Sequence, residues 1–219
     1  MMWYDTADPP PIPLAAARSS SLAMRKFFAA AMFATGIPLS PANADCGAEI
    51  MAAHGAMQQA VPYRSEMLSQ STFGTIKTVS EVDLPRALRT RIEGPDPSHT
   101  LVVGERAWRD SGQGLVELPA DQAKAVGEHV RRTMSRPAAM PEKPRCRPAE
   151  LHDGRSFKVY EYEQTFKMGD QPGISAARML VDTATGLPAR MEVNSTALGM
   201  VSVMLITLTY DKSIVIAPP

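Results

Sequence analysis

The chain has 219 residues, with 23 basic and 23 acidic side chains, so its formal charge is zero, and 44% of its residues are apolar. That balance excludes a strongly basic nucleic-acid binder, an acidic tail protein and a largely disordered chain, and the length suits one domain, two at most. No apolar run in the sequence reaches the roughly 18 residues of a membrane-spanning helix.

Met24-Arg25-Lys26 precedes an apolar run from Phe27 to Leu39, followed by Ser40-Pro41-Ala42-Asn43-Ala44. A basic start, an apolar middle and a small-x-small end, in that order, mark a secretory signal peptide. Cleavage is expected after Ala44, with export to the periplasm. A lipoprotein signal does not fit, because Asp45 stands before Cys46 where a small neutral residue is needed. Residues 1–23 contain Pro9-Pro10-Pro11 and Pro13 and show no periodicity. We read Met24 as the start and 1–23 as an upstream extension; a long basic region is the alternative. The expected division is residues 1–44, extension and signal peptide, and residues 45–219, one folded domain.

Asp45 can cap a helix to about Ala60, with Ile50, Ala53, His54, Met57 and Val61 on one face. Pro62 ends it. Tyr63 to Phe73 reads as a strand, Gly74-Thr75 as a turn, and Ile76 to Leu84 as a second strand. After a break at Pro85, Arg86 to Glu93 alternates as a half-buried antiparallel strand should. Gly94-Pro95-Asp96-Pro97-Ser98 is a turn by composition. Three short strands follow: His99 to Val103, Arg106 to Arg109 and Gly114 to Leu118. From Asp121, the expected cap, to about Met134 the pattern is helical, with Ala123, Val126, Val130 and Met134 on one face and Arg131 and Arg132 in the last turn. Arg136 to Pro148 holds Pro137, Pro141, Pro144 and Pro148. It excludes a helix or a central strand and is expected to be a connecting loop, or else a flap.

The last third reads entirely as strands: Arg155 to Lys167, Ile174 to Asp182, Pro188 to Thr196 and Met200 to Tyr210. The final one is apolar on both faces, with Met200, Met204, Ile206 and Leu208 against Val201, Val203 and Leu205. It should therefore be covered on both sides. No internal repeat is visible.

Two cysteines in an oxidising compartment usually pair. Bridging Cys46 to Cys146 closes a loop of about 100 residues, worth roughly 4–5 kcal/mol in the chain-entropy model. His54, His99, His129 and His152 lack ligand spacing, so no metal or cofactor is expected. No nucleophile elbow, phosphate loop or zinc-protease motif is present. Glu161 and Glu163 share a strand face and read as a solvated surface rather than a catalytic pair. Asn194-Ser195-Thr196 is taken as a chance glycosylation match. Of 14 methionines, ten follow residue 44. Met179, Met191, Met200 and Met204 fall on three consecutive strands, and flexible, polarizable methionine suits adaptable apolar binding surfaces.

Three stretches together resemble the LolA/LolB-type periplasmic lipoprotein carriers, with their LppX-like and RseB-like relatives. They are Pro85-Arg86-Ala87-Leu88-Arg89; Leu101 to Trp108 with Leu115-Val116-Glu117-Leu118-Pro119; and Val181 to Glu192 with Tyr210-Asp211, Ile214 and Ile216. The resemblance covers roughly residues 46–217. It implies an α+β fold, an open antiparallel β half-barrel whose apolar mouth is covered by helices. It also implies a non-catalytic carrier or binding protein for a lipid, a lipoprotein acyl chain or a similar apolar ligand. The alternative is an RseB-like sensor or interaction module acting on an envelope protein partner. Arg89 is the nearest match to the family's lid-locking arginine. The expected ligand-binding residues are Leu101, Val103, Trp108, Met179, Val181, Met191, Val193, Met200 and Met204 on the sheet, with Val126 and Val130 on the lid. Which sheet face lines the cavity is open, since a one-residue shift inverts a strand's two faces.

Overall fold

The computed structural model describes residues 46–110, 112–134, 140–168 and 170–219. The expected signal peptide, its expected cleavage site, the expected Asp45 cap and residues 135–139 of the proline-rich segment lie outside the described residues. The chain runs α1 (Cys46–Gln59), β1 (Tyr63–Ser71), β2 (Gly74–Asp83), β3 (Ala87–Glu93), β4 (Ser98–Val103), β5 (Arg106–Asp110) and β6 (Val116–Glu117). It continues with α2 (Ala120–Met134), β7 (Glu142–His152), β8 (Arg155–Met168), β9 (Gln171–Asp182), β10 (Pro188–Ala197) and β11 (Met200–Tyr210).

The strands form one antiparallel sheet of 11 in the order β6-β5-β4-β3-β2-β1-β11-β10-β9-β8-β7. Two meanders therefore share a seam. The first runs outward from β1 to β6. The chain then passes through α2 to the other edge and returns from β7 to β11. There β11 closes the seam on β1, from Tyr63↔Tyr210 to Ser71↔Ser202. The ends β6 and β7 stay apart, so this is the expected α+β fold, an open, curved half-barrel rather than a closed one.

Alternation gives every strand two faces. The inner face, toward the helices, carries Tyr63, Val82, Leu88 and Leu208 at one place and Tyr160, Tyr162, Ala177 and Met179 at another. Helix α1 seats Ile50 and Ala53 on the second group. Helix α2 seats Ala123, with Val126 and Val130, on Val102 and Ala107. Its four expected face residues all turn to the protein. Each fully buried Ile, Leu or Met contributes roughly 1.5–3 kcal/mol.

The helices and most strands match their expected spans, and five local readings need correction. Helix α1 stops at Gln59, so Val61 is outside it. Helix α2 begins at Ala120, so Asp121 lies in its first turn rather than capping it. The first hairpin turns at Thr72-Phe73, and Gly74, at φ 116°, already opens β2. The proline-rich stretch is not a loop from residue 142 onward. It forms β7, paired with β8. Pro144 and Pro148 fit because β7 is a sheet edge and its register shifts between Glu142 and Arg145 and again between Arg147 and Glu150. Finally, β11 is not covered on both sides. Val201 and Val203 are 54% and 43% exposed on the outer face. The C-terminal tail packs Ile214 and Ile216 elsewhere, against the outer face of β3, β4 and β5.

Candidate functional site

Helix α1 is fastened to the β7–β8 corner by covalent and polar ties. Cys46 is bonded to Cys146, with a Cα–Cα distance of 5.6 Å across a separation of 100 residues. One turn on, Glu49 accepts a 2.5 Å hydrogen bond from the Tyr160 hydroxyl and a 2.9 Å bond from Lys158 Nζ. These partners, Tyr160 first, hold the Glu49 carboxyl below its usual range. Burial and the Glu49 bond push the Tyr160 phenol up. One turn further, His54 Nε2 lies 3.2 Å from the Tyr162 hydroxyl. Burial lowers the His54 imidazole and raises the Tyr162 phenol to about 12. Helical spacing puts Cys46, Glu49, Ile50, Ala53 and His54 on the side of α1 that faces the sheet.

Past α1 the inner face is less covered. Met67 and Ser69 of β1, Met191, Val193 and Ser195 of β10, and Ser202, Met204 and Ile206 of β11 are all half-buried. The register makes them one strip: Met67 and Met191 both pair with Ile206, and Ser69 and Val193 both pair with Met204. The strip is apolar and serine-lined, and it runs from the helices toward the hairpin tips. A mostly apolar pocket of about 370 Å³ opens where the helix C-termini meet, between Gln58, Leu84, Pro85, Arg131 and Met134.

The expected ligand-binding residues fall into groups. Met179, Val181, Met191 and Val193 come together under Ile50 and Ala53. Met204 continues that group along the strip, and Met200 lies beyond it near the tips. Val126 and Val130 face the sheet from α2, over β4 and β5. Leu101, Val103 and Trp108 are not with them. They lie on the outer face, packed with Ala87, Ile214 and Ile216. Met179 is fully buried and Val181 nearly so, which places them in contact with α1 rather than at an open surface. Arg89 is also on the outer face, donating a 2.9 Å hydrogen bond to Glu81, and so is not aimed at a helix.

Sequence reasoning missed Glu49, Met67, Tyr160 and Tyr162. A signal for the tyrosines existed: Glu161 and Glu163 share a face, so the residues between and before them share the other. The two glutamates are solvated strand-face residues, ion-paired to Arg147 at 2.7 Å and Lys143 at 2.6 Å. Among the described residues no cluster of His, Cys, Asp and Glu could hold a metal ion, and no helix is long and apolar enough to cross a membrane.

No family model matches the chain, and no curated protein matches it. Solved structures do. The crystal structure of the Mycobacterium tuberculosis lipoprotein LppX is similar over 80% of this chain and 100% of its own, at a TM-score of 0.55 and 12% identity. LprF from Mycobacterium bovis is similar over 80% of this chain and 97% of its own, at a TM-score of 0.53 and 11% identity. The chain therefore shares the fold of these two proteins, and LppX-like proteins are among those its sequence motifs resemble.

Proposed function

We propose that the protein is a periplasmic, non-catalytic carrier or binding protein for a lipid, a lipoprotein acyl chain or a similar apolar ligand. The observation that carries this reading is the half-buried strip of Met67, Met191, Val193, Met204 and Ile206, which continues the α1-covered core into open space. Concave, mostly apolar surfaces with a few polar groups are where apolar ligands bind, and methionine adapts to chains of varying shape. Met179 and Val181 extend the site if α1 lifts. The Cys46–Cys146 bond would keep its N-terminal end in place while the Gln59 end, on breaking the Gln58 bond to the Met134 carbonyl, swings and widens the strip without releasing the helix. The order of basic, apolar and small-residue segments before Asp45 supports export and processing after Ala44.

Native mass spectrometry of the protein purified from cells tests this reading. Co-purified lipid, released on unfolding, supports it. An empty protein held in a stable complex with an envelope protein contradicts it and favours the RseB-like sensor.

A further inference from the structure

The sheet has a projecting end. Glu93, the last residue of β3, pairs with Lys77, and Glu142, the first of β7, pairs with Glu163. Strands β2, β1, β11, β10, β9 and β8 run on past both. Their hairpin tips expose apolar side chains: Phe73 by 76%, Leu198 by 57%, Val201 by 54% and Met168 by 45%. A pocket of about 170 Å³, lined mainly by apolar groups of Phe73, Phe166, Met168, Met200 and Val201, sits among them.

This end is also depleted of charge. No Asp, Glu, Lys or Arg occurs between residues 67 and 76, or between 193 and 210. Lys167 and Asp170 are the charges of the described β8–β9 tip. The opposite end differs: its turns carry Asp83 and Arg86, Asp153 and Arg155, Asp182, and Asp211 and Lys212. The Leu198-Gly199 turn adds a second indication. Leu198 sits at φ 55° and Gly199 at φ 73°. A two-residue hairpin turn with both φ positive favours Asn or Asp at its first position, and leucine there is strained. Leucine works against the turn and puts an apolar side chain at the apex, as expected of a site whose strain serves a function.

We propose that the tips of the β1–β2 and β10–β11 hairpins form a membrane-docking end that inserts shallowly into a phospholipid surface, with the described residues of the β8–β9 tip at its margin. A charge-free, apolar, projecting end suits a low-dielectric partner, since apolar side chains gain by leaving water and no charge is desolvated with them. Lys167 and Asp170 lie at the margin, at headgroup level, where both charges stay hydrated. The inference does not depend on the ligand site, whose residues its test leaves unchanged.

The test is hydrogen exchange of the full chain with and without vesicles of phosphatidylethanolamine and phosphatidylglycerol, read peptide by peptide. Attachment through another segment then cannot imitate docking. Exchange should slow severalfold over the tip residues 71–75 and 197–201, outside the ligand strip, and stay unchanged at the Asp153–Arg155 turn. Leu198→Asn should raise the unfolding midpoint, because it relieves the turn. Combined with Phe73→Ser, it should lower vesicle partitioning about tenfold or more. Leu151→Asn, at a side chain equally exposed elsewhere, should change nothing. Unchanged tip exchange with vesicles, undiminished partitioning of the double variant, or tip protection that needs high protein concentration and no vesicles would overturn the proposal. The last result would assign the tips to a second copy.

Discussion

The Tyr160 hydroxyl on β8 donates a 2.5 Å hydrogen bond to the Glu49 carboxylate on α1, one helical turn from the disulfide that joins Cys46 to Cys146. The helix is thus held most firmly at its start. Its next polar tie is the pair of His54 and Tyr162, and in its last turn Gln58 donates a 3.3 Å hydrogen bond to the Met134 carbonyl of α2, with apolar packing between. The helix is therefore held covalently at its start and by non-covalent contacts at its far end.

Acid should loosen α1 through His54. Burial lowers its pKa below the usual 6.5 in the folded protein. A depressed folded pKa gives stability that is present above 6.5 and lost as pH falls, because the unfolded chain takes up the proton first. Urea unfolding from about pH 7.5 to 5.5 should show falling stability in the parent and a flatter profile in His54→Gln. Parallel profiles would contradict this.

Alkali acts on the tyrosines with the opposite sign. Tyr63, Tyr160, Tyr162 and Tyr210 all have raised phenol pKa values, led by burial, with Tyr162 at about 12. A raised folded pKa gives stability that is complete below the ordinary value near 10 and lost as pH climbs through the folded value. Phenolate absorbance should therefore appear together with loss of the fold, between about pH 10 and 12. Smooth titration near 10 in a folded protein would count against it.

Bridging of Cys46 and Cys146 predicts that native protein resists thiol alkylation. Cys46→Ser should lose about 2–5 kcal/mol in denaturant unfolding. Its loss should fall mainly on α1, read as faster hydrogen exchange over residues 46–59.

Much of this fold was legible in the sequence, because period-two alternation and Gly- or Pro-marked turns are local signals. The strand read from Tyr63 to Phe73, two residues too long, and the one from Pro188 to Thr196 needed nothing else. What failed was non-local. Pro144 and Pro148 argue against a strand unless it is known to lie at an edge. The apolar outer residues Leu101, Val103 and Trp108 looked like cavity lining because nothing near them reveals that Ile214 and Ile216 fold back over that face. For the candidate site, the alternation of Met191 and Val193 marked a face but not its direction.

The Phe166 ring lies over Gly173, its partner across the β8–β9 pair, so closely that a Cβ on Gly173 would clash with the ring. An aromatic side chain covering a strand glycine shields its backbone. Gly173→Ala should cost about 1–3 kcal/mol in the parent through overpacking. In a Phe166→Ala background it should be neutral or stabilising, since alanine loses less chain entropy than glycine. A double-mutant cycle with no coupling would refute the contact.

Deleting the tail from Ser213 onward should expose Trp108, now 3% exposed beneath Ile216. A red shift of tryptophan emission and marked destabilisation are expected. The inner strip and its ligand binding should survive in whatever fraction stays folded.

The most direct test of the ligand reading is titration of a fluorescent fatty acid into the parent, Met204→Asp and Met191→Asp. Both methionines are half-buried on the inner strip, where a new carboxylate can stay hydrated while disrupting an apolar site. We expect saturable binding by the parent and its loss in both variants, with the circular dichroism of the sheet retained. Folded variants that bind as tightly as the parent would contradict the claim that this strip is the ligand site.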